Sequence, residues 1–397
     1  MLSLYIHIPF CTNKCAYCSF NSMPIDFSDT IIDEYIVALK KEIDYYADTI
    51  ENKEIKTLYF WWGTPSKIGV ERIIDIIEYI KTKFDCEDLA ELSIELNPNP
   101  TEEVLNFVQV LNKKYDRVSR LRYSFGIQSF DDEVLKISGR AYNFSQIVEF
   151  LRNLVKYKAD NVVFNFDFIA FGKFQVSKKW HKQLRHEFKR DFFQKFLASG
   201  YADSISLYTL ENIQDKPCPQ IYHGTDDEIM EEFQLLRGMI EDAGLMRYEI
   251  SNFAVAGKAS IHNMVYWNME PYIGLWLSAS SFTKNPVDKG GNEGGFTRWT
   301  NTWDIKEYLE WNRTDKKEIE ILNESDLLIE EFFLRLRTRE GIADISKFIS
   351  VLIKDYELRI TNFKKEGLVE FDETKLRLTD EGMNVYNGIV TDLLERL

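Results

Sequence analysis

The sequence predicts an α/β fold built on a parallel sheet, open or barrel-like, followed by a small helical or winged-helix-like domain. Over roughly the first 250 residues, short β-rich runs alternate with segments whose apolar residues recur at helical spacing. Near the C-terminus, helical patterns precede two short strands that flank a turn. Because ligands of parallel α/β folds sit at the carboxyl ends of the strands, we expect the chemical motifs to gather there.

Each element follows from its local pattern. We expect an α/β core over 1–255, a connecting segment over 256–320 and a C-terminal domain over 321–397. The predicted core strands are 2–8, 55–60, 92–95, 122–125, 162–168 and 204–210. The predicted core helices are 31–46, 70–84, 101–111, 144–154, 178–196 and 226–243. The C-terminal domain is predicted to contain helices 325–337 and 345–364, a hairpin over 367–378 and a helix from 380.

The composition narrows the classes of function. The chain has 397 residues with 45% hydrophobic content, which allows a large buried core, and a formal net charge of −15. That charge argues against nucleic acid as a partner, since a phosphate-binding surface needs excess Lys and Arg. No apolar run approaches the roughly 20 residues that span a bilayer. The first residues carry no basic segment or cleavage site, so we expect a cytoplasmic protein.

Three of the five cysteines lie close together. Cys11, Cys15 and Cys18 have the spacing C-x3-C-x2-C in one loop after the first predicted strand, whereas Cys86 and Cys218 are isolated and are interpreted as ordinary packed thiols. Three thiolates can hold three irons of a [4Fe–4S] cubane and leave the fourth iron open to a small molecule. The alternative is a zinc site with His7 as fourth ligand, although zinc ligands usually come in pairs from two separate segments.

The cysteine spacing, with Tyr17 before the third cysteine, resembles the signature of the radical SAM family. The fuller run Tyr5-Ile-His-Ile-Pro-Phe-Cys11 is similar to the branch that contains oxygen-independent coproporphyrinogen III dehydrogenase and the HemW heme chaperones. This resemblance implies a partial (β/α)6 barrel that binds a [4Fe–4S] cluster and S-adenosylmethionine (SAM) at the strand carboxyl ends.

The resemblance also implies a set of SAM-binding residues. Gly63 and Thr64 match a glycine-rich segment whose backbone pairs with the amino-acid end of SAM. Glu95 would hold the ammonium, a charge suited to a carboxylate at a strand end. The remaining matches are Tyr5 in the first strand, Gln128 and Asp167 for the ribose, and Arg140 for the methionine carboxylate. Taken singly, each of these residues could be a surface polar group at a strand end.

A separate motif points to heme. His262-Asn-Met-Val-Tyr-Trp267 resembles the H-N-x-x-Y-W motif that is associated with heme binding in the heme-chaperone branch, and imidazole is a normal ligand of heme iron. The alternative is that His262 is a hydrogen-bonded core histidine. The segment 178–196 is basic with an apolar residue every fourth position. It is either a core-facing helix or a docking surface for an acidic membrane or partner.

Some positions depart from the family pattern. Trp61, Trp62 and Trp276 stand where the family has glycine, and one hypothesis is that these codons are UGA, read as glycine in the source organism. The dehydrogenase has a further cysteine where this chain has Phe20, and an N-terminal extension that this chain is expected to lack. The loop 168–174 and Ser280 also differ from the family, which indicates unusual substrate contacts.

These features favour a heme chaperone that binds heme, and SAM as a cofactor, and passes heme to an acceptor protein. The alternatives are coproporphyrinogen III dehydrogenase, which converts two propionates to vinyl groups, and a related radical SAM enzyme with another substrate. The resemblance further implies a reductant such as flavodoxin or ferredoxin.

Overall fold

The computed structural model describes residues 1–11, 15–18, 23–24, 29–61, 63, 65–171, 182–210, 225–284, 296–310 and 316–394. Its first part contains β1 (Leu2–His7), β2 (Phe10–Cys11), β3 (Met23–Pro24), α1 (Asp29–Thr49), β4 (Ile55–Trp61), α2 (Val70–Lys83), β5 (Glu91–Leu96), α3 (Thr101–Lys114), β6 (Leu121–Gln128), α4 (Asp132–Ile137), α5 (Phe144–Leu154), β7 (Val162–Ala170), α6 (Lys182–Ala198) and β8 (Ser204–Thr209). The second part contains α7 (Asp226–Asp242), β9 (Met246–Arg247), β10 (Asn252–Ala254), α8 (Ile261–Trp267), β11 (Tyr272–Leu275), β12 (Ser280–Lys284), β13 (Phe296–Asn301), α9 (Ile305–Glu310), β14 (Lys316–Leu322), α10 (Glu324–Leu336), α11 (Tyr356–Lys365), β15 (Val369–Asp372), β16 (Lys375–Leu378), α12 (Asp380–Asn384) and α13 (Tyr386–Leu393).

Six parallel strands confirm the predicted α/β architecture. In the sheet, β1, β4, β5, β6, β7 and β8 are neighbours in that order, and each pair is parallel. At least one helix follows each of these strands, which gives the six β/α units of the predicted barrel. Apolar residues of each strand pack against the helices, whereas the alternate residues face inward and are largely polar.

Strands from later in the chain extend both edges of the sheet. At one edge β10 and β9 pair antiparallel to β8. At the other edge β11 pairs parallel to β1 and is followed by antiparallel β12, β13 and β14. The segment 256–320, expected to connect two domains, therefore contributes strands to the main sheet. Its local pattern did not show this because strand pairing at a sheet edge depends on the neighbouring strand.

The C-terminal elements have a hydrophobic core of their own. Its members come mainly from residues 332–394 and include Phe332, Ile360, Leu376 and Leu393. The predicted hairpin is present as β15 and β16. The predicted helix over 345–364 is wrong in part: only a single turn, Ile345–Phe348, precedes α11. The chain between them is held by tertiary contacts instead, since the Ile353 N–H donates to the Leu393 carbonyl.

Helix α6 has a core-facing aromatic side. Phe193 and Phe196 are buried, and their rings pack against Phe168 on β7. This favours the core-facing interpretation for the described part of 178–196, whereas residues 178–181 lie outside the described residues. None of the helices described is both long and apolar enough to cross a bilayer.

Candidate cofactor site

The three clustered cysteines lie beside the end of β1. Cys11 belongs to the short β2–β3 pairing, and the Cys18 N–H donates to the Cys15 carbonyl at 3.0 Å. All three thiols are half-buried. Among the described residues, no three His, Cys, Asp or Glu side chains converge in a way that would hold one metal ion. A [4Fe–4S] cubane needs each thiolate on a different iron, and three thiols from one loop suit that requirement.

His7, the fourth ligand in the zinc alternative, is a buried residue that contacts Tyr5. It is 2% exposed at the end of β1, and its Nδ1 lies 3.0 Å from the Tyr5 hydroxyl. Burial lowers the pKa of His7 to about 3, so the imidazole is neutral. These contacts give His7 a structural role beside Tyr5.

Arg140 connects the cysteine loop to the strand ends. Its Nη1 donates to the Cys15 Sγ and the Tyr17 hydroxyl, both at 3.2 Å. Its Nη2 donates to Asn97 Oδ1 and to the Gly126 carbonyl, and Nε donates to the Tyr142 hydroxyl. Because its donors are already engaged, Arg140 acts here as a clamp on the loop, and its pairing with a methionine carboxylate stays a prediction.

Gly63 is a position where only glycine fits. Its φ is +47°, and a Cβ there would lie 2.4 Å from the Ile8 carbonyl oxygen and 2.7 Å from that of Phe10. The backbone after β4 therefore packs directly on the chain that leads into the cysteine loop. Trp62 and Thr64 lie outside the described residues.

Glu95 and Asp167 face each other inside the barrel. The Tyr59 hydroxyl donates to Glu95 Oε1 at 2.5 Å, and Asp167 accepts from Ser124 Oγ and from Asn165 Nδ2. Burial raises the pKa of Glu95, and the neighbouring Asp167 charge raises it further. Burial also raises the pKa of Asp167. Two carboxylates in one buried space favour a cationic ligand, which is the chemistry expected of the ammonium end of SAM.

The other predicted SAM residues are close to this space. Gln128 ends β6 with a φ of +66°, and its Nε2 would lie 2.8 Å from a Cβ at Gly126. Tyr5 is buried on β1, where its ring meets Tyr59 edge-on at 6.3 Å. The structure thus brings Tyr5, Glu95, Gln128, Arg140 and Asp167 to one end of the parallel strands.

Arg122 was missed by the sequence interpretation. It is 2% exposed, and the register places it beside Ser93, on the interior face between Glu91 and Glu95. Its charge opposes the rise in the pKa of Glu95. Its Nε and Nη1 have no hydrogen-bond partner among the described residues. The alternation of polar and apolar residues in Arg122-Tyr-Ser124-Phe-Gly126 is the signal that could have shown it.

His262 is a buried core histidine at the far side of this interior. Thr57 Oγ1 donates to Ser3 Oγ and lies 2.7 Å from His262 Nδ1, so Nδ1 carries the proton in that pair. The Nε2 then accepts from the Tyr266 hydroxyl at 2.8 Å. Burial and the nearby Arg122 charge lower the pKa of His262 to about 3. With both nitrogens engaged, the imidazole is not presented to a heme iron in this structure.

The tryptophans at glycine positions have different surroundings. Trp61 lies in regular strand conformation, with its ring stacked on Tyr59 at 5.5 Å inside the barrel. Trp276 has a φ of +96°, a backbone conformation typical of glycine. Its ring is fully buried against Tyr35 at 4.2 Å, and its Nε1 has no partner among the described residues. The backbone at 276 therefore supports the glycine hypothesis independently of the motif.

Of the other residues singled out in the sequence, Cys86 and Ser280 belong to the described residues. Burial raises the pKa of the Cys86 thiol to about 11, which makes it a poor nucleophile, as expected of an ordinary packed cysteine. Cys218, Phe20 and residues 172–174 lie outside the described residues. Ser280 is on β12, where its Oγ lies 3.0 Å from Thr300 Oγ1.

Comparisons with known proteins agree with this geometry. Residues 5–175 match the family model of the radical SAM superfamily, and residues 322–385 match that of the HemN C-terminal domain. A heme chaperone HemW from Haemophilus influenzae is 30% identical over 78% of this chain and 76% of that protein. One from Lactococcus lactis is 26% identical over 99% and 97%, respectively. The structure of coproporphyrinogen III oxidase from Escherichia coli shares the fold, with a TM-score of 0.76, 19% identity and coverage of 98% and 89%.

Proposed function

The chain belongs to the HemW family of the radical SAM superfamily, and from this membership we propose that it binds heme and passes it to acceptor proteins. The observation that supports this most directly is the similarity to heme chaperones over nearly the whole chain, including the C-terminal domain. The H-N-x-x-Y-W segment, present in full on α8, is consistent with the same role.

The superfamily implies a [4Fe–4S] cluster and SAM, and the residues present fit both groups. Cys11, Cys15 and Cys18 would hold the cluster, with Arg140 donating to the Cys15 sulfur. Glu95 and Asp167 would receive the cationic amino-acid and ribose parts of SAM. When bound, the cluster and SAM together supply one-electron chemistry. The protein's own contribution is a buried interior that orients the cofactor and excludes water.

Coproporphyrinogen III dehydrogenase is the second candidate, favoured by the shared fold with the Escherichia coli enzyme. That similarity shows the fold alone. Whether this chain catalyses the reaction is measured by a turnover assay with coproporphyrinogen. A third candidate is a radical SAM enzyme with a different substrate.

An anaerobic heme titration tests the proposal. The full chain, reconstituted with iron and sulfide, is titrated with heme and followed by its Soret band, and transfer to an apo-hemoprotein is then measured. Stoichiometric binding and transfer, without decarboxylation of coproporphyrinogen, is the expected result. Turnover of coproporphyrinogen to a divinyl product would replace the chaperone proposal with the dehydrogenase. A Cys18→Ser variant, which should lose cluster iron, shows whether heme binding depends on the cluster.

The proposed function also implies protein partners and a cellular compartment. The cluster would require a reductant such as flavodoxin or ferredoxin, and the heme would require an acceptor protein. We infer a cytoplasmic site of action, because a cysteine cluster that ligates iron requires a reducing compartment. The alternative role of 178–196, a peripheral membrane contact, is tested by binding of the full chain to acidic vesicles.

A further inference from the structure

A cavity of about 410 Å³ lies between the end of the barrel and the C-terminal domain. The inner wall is formed by Tyr5, His7 and Trp61 from β1 and β4, and the outer wall by residues of α8, β11–β13 and α10. Cavities of a few hundred cubic ångströms are the usual size for small-molecule and cofactor sites. Of the residues predicted to bind SAM, only Tyr5 is among the described residues that line this cavity, whereas Glu95 and Asp167 are not.

Its walls are mainly aromatic. Tyr266 and Tyr272 meet edge-on with ring centroids 4.7 Å apart, and Tyr272 lies 6.3 Å from Phe282. Trp267 also lines the cavity, and its ring is held by the Arg337 guanidinium at 4.4 Å. Flat, rigid side chains of this kind suit a flat aromatic ligand, which gains contact area without ordering flexible groups.

Two polar groups in the wall suit a carboxylate. Among the described residues that line the cavity, Arg298 carries the only guanidinium or ammonium group. Its Nη1 pairs with Glu330, another lining residue, at 2.6 Å, and its Nη2 pairs with Glu320 at 2.6 Å. The Nε1–H of Trp267 is buried and has no acceptor among the described residues. A ligand carboxylate would compete with Glu330 for Arg298 and could accept from the indole.

His262 contacts the wall of this cavity directly through Tyr266. It does not line the cavity, but its Nε2 holds the Tyr266 hydroxyl at 2.8 Å and so fixes a ring that does. The H-N-x-x-Y-W segment therefore presents its aromatic residues, and not its histidine, to the cavity.

We propose that this cavity is the porphyrin site, with the macrocycle against Trp267, Tyr272 and Phe282 and a propionate at Arg298. His262 is a positioning residue that acts through Tyr266. The inference rests on the proposed heme-binding function and specifies where that binding takes place.

Paired substitutions with opposite expected effects test the site. Arg298→Met should weaken heme binding about tenfold, because a charge-assisted contact is lost. Glu330→Gln should tighten heme binding, because the competing carboxylate is removed. Arg377→Met is the matched control: this arginine pairs with Glu370 in the β15–β16 hairpin, outside the cavity, and its loss should leave affinity unchanged. Melting curves show that each variant is folded.

His262→Ala and Tyr266→Phe test the positioning role. Both should weaken heme binding while the Soret maximum keeps its position, since neither residue is proposed to bind the iron. A shifted Soret maximum in His262→Ala would mean that the imidazole binds iron, and it would overturn this assignment.

The outcomes separate the two proposals. If the unaltered protein binds heme but neither Arg298→Met nor Glu330→Gln changes the affinity, heme binds elsewhere and only the cavity assignment fails. If the unaltered protein shows no specific heme binding, the proposed function and the cavity assignment both fail.

Discussion

The buried carboxylate of Glu91 accepts a hydrogen bond from the backbone N–H of His262, with Oε1 3.1 Å from the nitrogen. The same carboxylate accepts from the Ile261 N–H at 3.0 Å and the Ser260 hydroxyl at 3.3 Å, and Arg120 balances its charge at 3.4 Å. One side chain of β5 thus anchors the first turn of α8, and with it the segment that carries His262, Tyr266 and Trp267.

Replacing Glu91 should therefore destabilise the fold around α8. Glu91→Gln keeps the size but turns one acceptor into a donor facing other donors, so we expect a loss of about 1–3 kcal/mol in the free energy of unfolding. Urea denaturation measures this loss. Glu87→Gln, at an exposed position, is the control and should stay close to the unaltered protein. Equal stability of the two variants would show that the Glu91 contacts add nothing.

Glu95 should make SAM binding dependent on pH. Its pKa is raised above the ordinary 4.5 by burial and by Asp167, so protonation persists to higher pH than in a free carboxyl. Because only the ionised carboxylate attracts an ammonium, SAM affinity should increase as pH rises towards the folded pKa of about 8 and should decrease again at a pH where the α-ammonium of SAM has lost its proton. Glu95→Gln should lower affinity about tenfold and flatten this dependence. Isothermal titration across a pH series checks it, and a pH-independent affinity in the unaltered protein would contradict it.

Without SAM, the raised pKa of Glu95 should make the folded protein less stable as pH rises. The folded protein holds a proton on Glu95 that the unfolded chain has already lost above its ordinary pKa. Stability should therefore fall as pH rises from that value through the raised folded pKa, and Glu95→Gln should reduce the fall. Denaturation midpoints at several pH values measure the difference.

Gly63 should be intolerant of any side chain. Gly63→Ala places a Cβ against the Ile8 and Phe10 carbonyls, so the segment entering the cysteine loop must move. We expect a loss of cluster iron after reconstitution and a destabilisation of about 1–3 kcal/mol. Gly257→Ala is a matched control, because Gly257 also has a positive φ of +76° but has no atom within 4 Å of the added Cβ. Iron content as high in Gly63→Ala as in Gly257→Ala would refute the role of close packing.

His262 should contribute to unfolding in acid. Its folded pKa of about 3 is below the ordinary 6.5, so the unfolded chain binds a proton that the folded protein excludes. The contribution of neutral His262 to the free energy of unfolding is therefore fully present above the unfolded pKa. It is lost as pH falls towards 3, by at most about 1.4 kcal/mol per pH unit. His262→Gln should flatten the profile in this range. His7 has a similarly lowered pKa, so the double variant His7→Gln/His262→Gln should flatten it further.

The residue at 276 can be identified directly. If UGA is read as glycine in the source organism, peptide mass spectrometry of the native protein should find glycine at 61, 62 and 276. Tryptophan at 276 would instead mean that a large residue tolerates a φ of +96°, a strain of about 1–3 kcal/mol offset by its packing on Tyr35. UGG codons at the three positions would end the glycine hypothesis.

The sequence alone determined the six β/α units and the cysteine site. Apolar residues at a spacing of two or of about 3.6 are local signals, and helix α5 begins and ends where the pattern predicted. The cysteine spacing is likewise local, since all three thiols lie within one loop.

Only the tertiary structure decided which groups meet. Arg140 and Cys15 are 125 residues apart in the sequence, and Glu91 and His262 are 171 residues apart. Neither contact can therefore be predicted from a local sequence pattern. The same holds for β11–β13, whose pairing depends on the exposed edge of β1, and for the break before α11, which follows from contact with Leu393. His262 is the clearest case: its motif suggested a ligand, and the burial of both nitrogens gave it a structural role.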